Sequence, residues 1–110
     1  MPGEKPVIPS IAKDYARQAR RAFRDRCQDV LLYGSYARGE ATADSDVDIL
    51  VVLKRTESPG LDWDQCIDIA AEIGSRTGEL ISVSLCSSED YAHREHPLLM
   101  NIRREGVRIR

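Results

Sequence analysis

Apolar residues recur along this chain with two periods, and the change of period marks its elements. From Ser10 to about Arg26 the spacing is three to four, which places Ile11, Tyr15, Ala19, Ala22 and Phe23 on one helix face with Ser10 as the N-cap. Val30 to Tyr33 and Ile49 to Leu53 are short continuous apolar runs and predict strands over 29–33 and 46–53. In the second strand Val47, Ile49, Val51 and Leu53 face one way, and Asp46, Asp48, Leu50 and Val52 face the other. Being apolar on both faces, that strand belongs in the centre of its sheet. Between the strands the sequence predicts a short helix over 36–40, ended by Gly39, and a loop over 41–45.

The second half continues in the same manner. A loop over 54–61 contains Ser58-Pro59-Gly60, and a helix over 62–76 turns Trp63, Cys66, Ile67, Ala70 and Ile73 inward. Gly78 is a better stop for it than Gly74, because a strand over 80–86 follows at once. Ser87 or Ser88 caps a helix over 89–94, and Pro97 opens another segment, with His96 a poor cap and Gly106 its end. Val107 and Ile109 suggest a short edge strand, and no internal repeat is present. Residues 1–9 hold three prolines and predict a flexible tail, leaving 10–110 as a single domain. The pattern is that of an α/β (α+β) fold, a small mixed sheet packed by helices. Taken alone, it also admits a doubly wound sheet.

Size and charge narrow the function. A chain of 110 residues makes one small domain that buries about two thirds of its unfolded surface. The net charge of −2 and the 5% aromatic content argue against nucleic acid as the main ligand. The start, MPGEKPVIPS, lacks the apolar run of a signal peptide, and Ile49–Leu53 falls far short of the ~20 residues that span a bilayer. Cys27, Cys66 and Cys86 are odd in number and form no CxxC, so they are expected as buried free thiols in a reducing cytoplasm.

The chemistry concentrates between the first two strands. Gly34-Ser35 before a helix start offers free backbone N–H groups, a hydroxyl and the positive end of a dipole, which together cradle phosphate. Read plainly, it is a strand-to-helix turn with Ser35 as N-cap. Asp46 and Asp48 stand two apart and share a strand face, where like charges repel unless a cation sits between them. The plain reading there is a solvated strand end. Cradle and acid pair together equip a protein for Mg²⁺-dependent phosphoryl or nucleotidyl transfer.

The string GSYARGEATADSDVDILVV resembles the signature of the DNA polymerase β-like nucleotidyltransferase superfamily, and in particular its minimal members that serve as antitoxins of HEPN-domain toxins. The resemblance is strong over residues 30–53 and extends weakly to Ile81-Ser82-Val83 and to 101–107. It implies the nucleotidyltransferase palm and transfer of NMP from ATP or another NTP, with Mg²⁺, to a hydroxyl on a HEPN-domain protein partner. Asp46 and Asp48 would be the catalytic metal ligands, and Gly34, Ser35 and Arg38 would bind the nucleotide. Family members usually carry a third acid on the next strand, where this chain offers only Ser82 and Ser84. Glu79 has the opposite parity. A second class of function is therefore open: a non-catalytic module of this fold that neutralises or assembles with its partner.

Other features have plainer readings. Lys13, Arg17, Arg20, Arg21 and Arg24 form a basic stripe that suits a solvated helix face, or else an acidic partner. His93 and His96 lack a further ligand for zinc, and Phe23 and Trp63 are expected in the core.

Overall fold

The computed structural model describes residues 7–110, so residues 1–6 of the expected tail lie outside the described part. Helix α1 (Ser10–Phe23) and a 3-10 turn over Arg24–Arg26 lead into β1 (Cys27–Tyr33). Helix α2 (Gly34–Arg38), β2 (Val47–Leu53), α3 (Pro59–Thr77) and β3 (Ile81–Ser87) follow. The chain closes with α4 (Ser88–His93), α5 (Pro97–Glu105) and β4 (Val107–Arg108). The strands form one sheet in the order β3-β2-β1-β4. β2 pairs antiparallel with β1 and parallel with β3, so the sheet is mixed and β2 is central, as its two apolar faces require.

The sheet is covered on both sides. Val30, Leu32, Val47, Ile49, Val51 and Leu53 pack with α1 and α3 in the larger core. Leu31, Leu50 and Val52 pack on the other side with Leu99 and Ile102 of α5. This split is the alternation read from the sequence. Ile8, placed by sequence in the tail, packs against the larger core.

Several expectations need correction. Ser10 is the first residue of α1 rather than its cap. Pro9 occupies the cap position, and no side chain caps it. The α-helix stops at Phe23, three residues early, because Arg24 adopts a positive φ of 53°. β1 begins two residues before the expected strand, and α2 two residues before the expected helix. Pro59 lies in the first turn of α3, so the helix takes up part of the expected loop.

The largest difference is the rotation of α3. Trp63 and Ile67 are 41% and 40% exposed, while Asp62 and Ile69 are buried with Cys66 and Ile73. The cause is Arg26, whose guanidinium grips Asp62 bidentately at 2.9 and 3.0 Å and draws it beneath the end of α1. Tyr15 fixes the same packing from the middle, its hydroxyl donating to the Cys66 carbonyl at 2.8 Å. The three thiols are free. Cys66 is buried, whereas Cys27 and Cys86 are only half-buried.

The remaining punctuation matches the sequence reading except at His96, expected to be a poor cap, whose side chain does cap its helix. Gly39 and Gly78 adopt left-handed conformations at the ends of α2 and α3. Ser87 caps α4 by accepting from Asp90 N at 3.1 Å, and His96 caps α5 through Nδ1 at 3.2 Å from Leu98 N. Among the described residues, no helix is long and apolar enough to cross a membrane.

Candidate active site

Gly34 is where the site begins, because backbone there comes against a carboxylate. It ends β1, opens α2 and has φ +74°, a region that side chains disfavour. A Cβ built on it would lie 3.2 Å from Asp48 Cγ and nearer still to Asp48 Oδ2. Only glycine lets the turn sit this close. Strand register explains the approach. Tyr33 is paired with Asp48 across β1 and β2, so the turn leaving β1 passes over that carboxylate.

Asp48 is flanked in register by Tyr33 on one side and Ser82 on the other, and cross-strand partners share a face. Asp48 is half-buried. Burial pushes its carboxyl above the ordinary range, the charge on Asp46 adds to the rise, and Arg38 partly offsets it. Asp46 precedes β2 instead of opening it and is exposed; its neighbour Val47 is held by an N–H donated to Leu80 O at 3.0 Å. The expected pair of acids is thus brought together, with one held on the sheet and one on the approaching loop.

Ser35 lies inside α2, and no side chain caps that helix, so the plain reading of Ser35 as an N-cap fails. Its carbonyl accepts from Glu40 N at 2.8 Å and closes the turn. Arg38 is exposed and pairs with Glu40 at 3.3 Å and Glu105 at 3.4 Å, tying α2 to the end of α5. Such exposed pairs hold weakly and exchange readily.

Sequence reasoning missed Tyr33. Its hydroxyl lies 3.2 Å from Ser84 Oγ, bridging from β1 to β3 over the face that carries Asp48. Parity could have found it, because Tyr33 directly precedes Gly34 and faces the same way as Asp48. Removing this hydroxyl in Tyr33→Phe is expected to cost about 0.5–1.5 kcal/mol, read as a lower urea midpoint with an unchanged slope.

Ser82 and Ser84 stand in register with Asp48 and Leu50, on the face assigned to them, and neither is acidic. Glu79, expected to point away, instead lines a hollow of about 260 Å³ together with Asp44 and Asp46. It lies before β3, so strand parity does not govern it. Among the described residues, no three Asp, Glu, His or Cys side chains come close enough to hold one metal ion, which also leaves His93 and His96 without a site. The basic stripe is largely solvated, except that Arg20 is half-buried and donates to Ile109 O.

A small mixed sheet with a glycine turn leaving one strand and a carboxylate on the next is the palm of a nucleotidyltransferase. The family model for polymerase beta nucleotidyltransferases matches residues 21–109, and the chain belongs to that family. A provisionally named protein adenylyltransferase of Methanocaldococcus jannaschii is 31% identical over 101 residues, covering 90% of this chain and 69% of that protein. Among solved structures, a toxin-antitoxin complex with AMP-PNP contains a chain of the same fold, with TM-score 0.60 and 20% identity over 89% of this chain and 72% of that one. A complex of a tri-AMPylated HEPN toxin with an MNT antitoxin from Shewanella oneidensis shares the fold at TM-score 0.51 and 17% identity, over 92% and 71% of the two chains.

Proposed function

We propose that this nucleotidyltransferase moves AMP from ATP to a hydroxyl on a HEPN-domain protein partner, silencing that partner as an antitoxin in the cytoplasm. The observation that supports the reading is the close approach of Gly34, at the start of α2, to the Asp48 carboxylate. Support for the acceptor comes from the names of the relatives and from the AMPylated toxin in a complex of the same fold.

Asp46 and Asp48 fit Mg²⁺, because two oxygen donors in each other's field, one of them half-buried, gain from a hard cation. When bound, the ion would neutralise phosphate charge and orient the α-phosphorus. The chain's own groups do the rest. The α2 backbone and the Ser35 hydroxyl hold the terminal phosphates, and Arg38 can leave its exposed pairs to meet them. The acceptor oxygen bonds to the α-phosphorus, the bond to the β-phosphate oxygen breaks, and pyrophosphate leaves with the acceptor's proton released to solvent.

Incubating the chain and its partner with Mg²⁺ and labelled ATP tests the reading, and absence of label on the partner overturns it. Ser35→Ala should weaken ATP binding by about 1–3 kcal/mol in calorimetry, the range for a hydrogen bond to a charged phosphate. An unchanged affinity would remove Ser35 from the cradle.

A second reading keeps the fold without turnover. It is favoured by the hydroxyls of Ser82 and Ser84 where an acid is expected. Tight partner binding with no transfer, from a protein that still neutralises the partner, would establish it.

A further inference from the structure

The two edges of the sheet are unlike. β4 closes one edge with two residues, and Arg108 there pairs with Asp29 at 2.9 Å. A short, charged strand is a blunt edge that resists further pairing. β3 closes the other edge with seven residues, ISVSLCS, without a charge, a proline or a bulge. Its inner backbone groups are taken by β2. Val47 N–H donates to Leu80 O at 3.0 Å, and in a parallel ladder the bonded residues of β3 alternate from there through Ser82 and Ser84. The N–H and C=O groups of Ile81, Val83 and Leu85 therefore point outward, and among the described residues no strand pairs with them.

The helix over this strand is open on the same side. α3 packs on β3 and, through one flank, on α1. Gln65, Asp68, Ile69 and Glu72 line the groove toward α1. Trp63, Ile67, Ala70 and Gly74 recur at helical spacing on the opposite flank, which overhangs the β3 edge. Trp63 lines one hollow with Leu85 and Cys86, and a Cβ built on Gly74 would lie 3.3 Å from Glu79 O. α3 thus runs antiparallel to β3, with bulky residues toward the end of the strand and small ones toward its start. Trp63 and Ile67 are the side chains expected in the core that the fold leaves exposed.

We infer that this edge joins two copies of the chain, β3 against β3 in antiparallel pairing about a two-fold axis near Ser84, with the α3 flanks packed across the same axis. Register about Ser84 sets Val83 opposite Leu85 of the second copy and overlaps the two strands in full. The shape of the flank selects a second copy as the occupant. The axis turns α3 end for end, so Trp63 of each chain lies against the small stretch from Ala70 to Gly74 of the other, and Ile67 lies near the axis. The strand that completes the edge must also be free of charge over this length, and β3 itself is. Such an interface is isologous and closes at two chains, with the blunt β4 edges facing outward. An axis normal to the sheet preserves its faces, so the dimer is one continuous sheet with both Asp48 carboxylates on the same side.

Sedimentation equilibrium of the full chain reads the oligomeric state. The wild type should be a dimer at about 100 μM, where even a Kd of ~10 μM leaves most chains paired. Ile67→Lys sets a charge beside its own counterpart and should weaken the dimer at least about tenfold. Met100→Lys, at an exposed apolar position on α5, should leave it unchanged. Val83→Pro removes an outward N–H without touching the β2 ladder and should give a monomer. Circular dichroism checks that each variant folds. Should Val83→Pro fail to fold, amide exchange in the wild type takes its place: the N–H groups of Val83 and Leu85 should exchange more slowly as concentration rises through the dimer range. A wild type that stays monomeric at that concentration overturns the inference, and so does a dimer indifferent to Ile67→Lys. A dimer weakened by Ile67→Lys whose edge amides exchange at one rate at every concentration is joined by the helices alone, and that result overturns the sheet pairing.

Discussion

Replacing Asp46 and Asp48 together by asparagine abolishes nucleotidyl transfer and leaves the fold intact. The expected loss is on the order of a thousandfold or more, matching the ~4 kcal/mol or greater that charge stabilisation at a transferring phosphate contributes. Stability should move the other way. In the free protein Asp48 is half-buried beside a like charge, and its proton is held more tightly than in the unfolded chain. A carboxyl whose folded pKa is raised destabilises the fold in its charged form. That penalty is absent below the unfolded pKa, grows as pH rises through the folded one, and is fully present at neutrality. The double asparagine variant should therefore melt at or above the wild-type temperature at pH 7, with the difference shrinking as pH falls toward 3. Thermal unfolding across pH, without metal, measures it. A clear drop in melting temperature at neutrality would mean that the acids hold the fold together, and transfer surviving in the double variant would remove them from the site.

Gly34→Ala is the second large effect, and Gly39→Ala is its control. Both glycines have left-handed φ, +74° and +73°. Alanine at either position meets backbone strain of about 1–3 kcal/mol. At Gly39 nothing lies within 4 Å of the added methyl, so the strain is the whole effect. At Gly34 the methyl lands on the Asp48 carboxylate, which must rotate away or push α2 off the sheet. Either movement breaks the alignment of cradle and acid, and misplacement of about 1 Å costs on the order of a hundredfold in rate. The expected result is destabilisation in both variants, larger in Gly34→Ala by the added clash, with transfer lost only in Gly34→Ala. Equal activities would show that the close approach has no bearing on the chemistry.

The strands were legible because their period is two and both faces are apolar. Every residue of Val47–Leu53 except Asp48 is buried, and the two sets fall on the faces read from the sequence. The turn glycines were legible because left-handed backbone leaves few other choices. The phase of α3 was not. Trp63 and Ile67 carry the stronger apolar signal, but Arg26 reaches across 36 positions to bury Asp62, and no local pattern records a partner so distant. The start of α1 was misplaced because a serine beside a proline reads as a cap, and here Pro9 takes that position. In the candidate site, spacing singled out Gly34, Asp46 and Asp48, and the structure sets Gly34 against Asp48. Tyr33 and Glu79 went unassigned for different reasons. The first is an aromatic in an apolar run, and the second sits where alternation no longer applies.

The register that sets Gly34 over Asp48 also bears on how such a protein can diverge. The cradle and both acids lie within residues 34–48, a single stretch whose ends are clasped by pairing between neighbouring strands. A hollow between Trp63, Leu50 and Leu98 is lined, apart from Leu50, by residues of the second half of the chain, from Trp63 to Leu99. Inheritance can therefore act on the two separately. The first stretch is a closed unit in which a change at Gly34 is felt at once by Asp48, while residues around Trp63 and Leu98 can change without disturbing that contact.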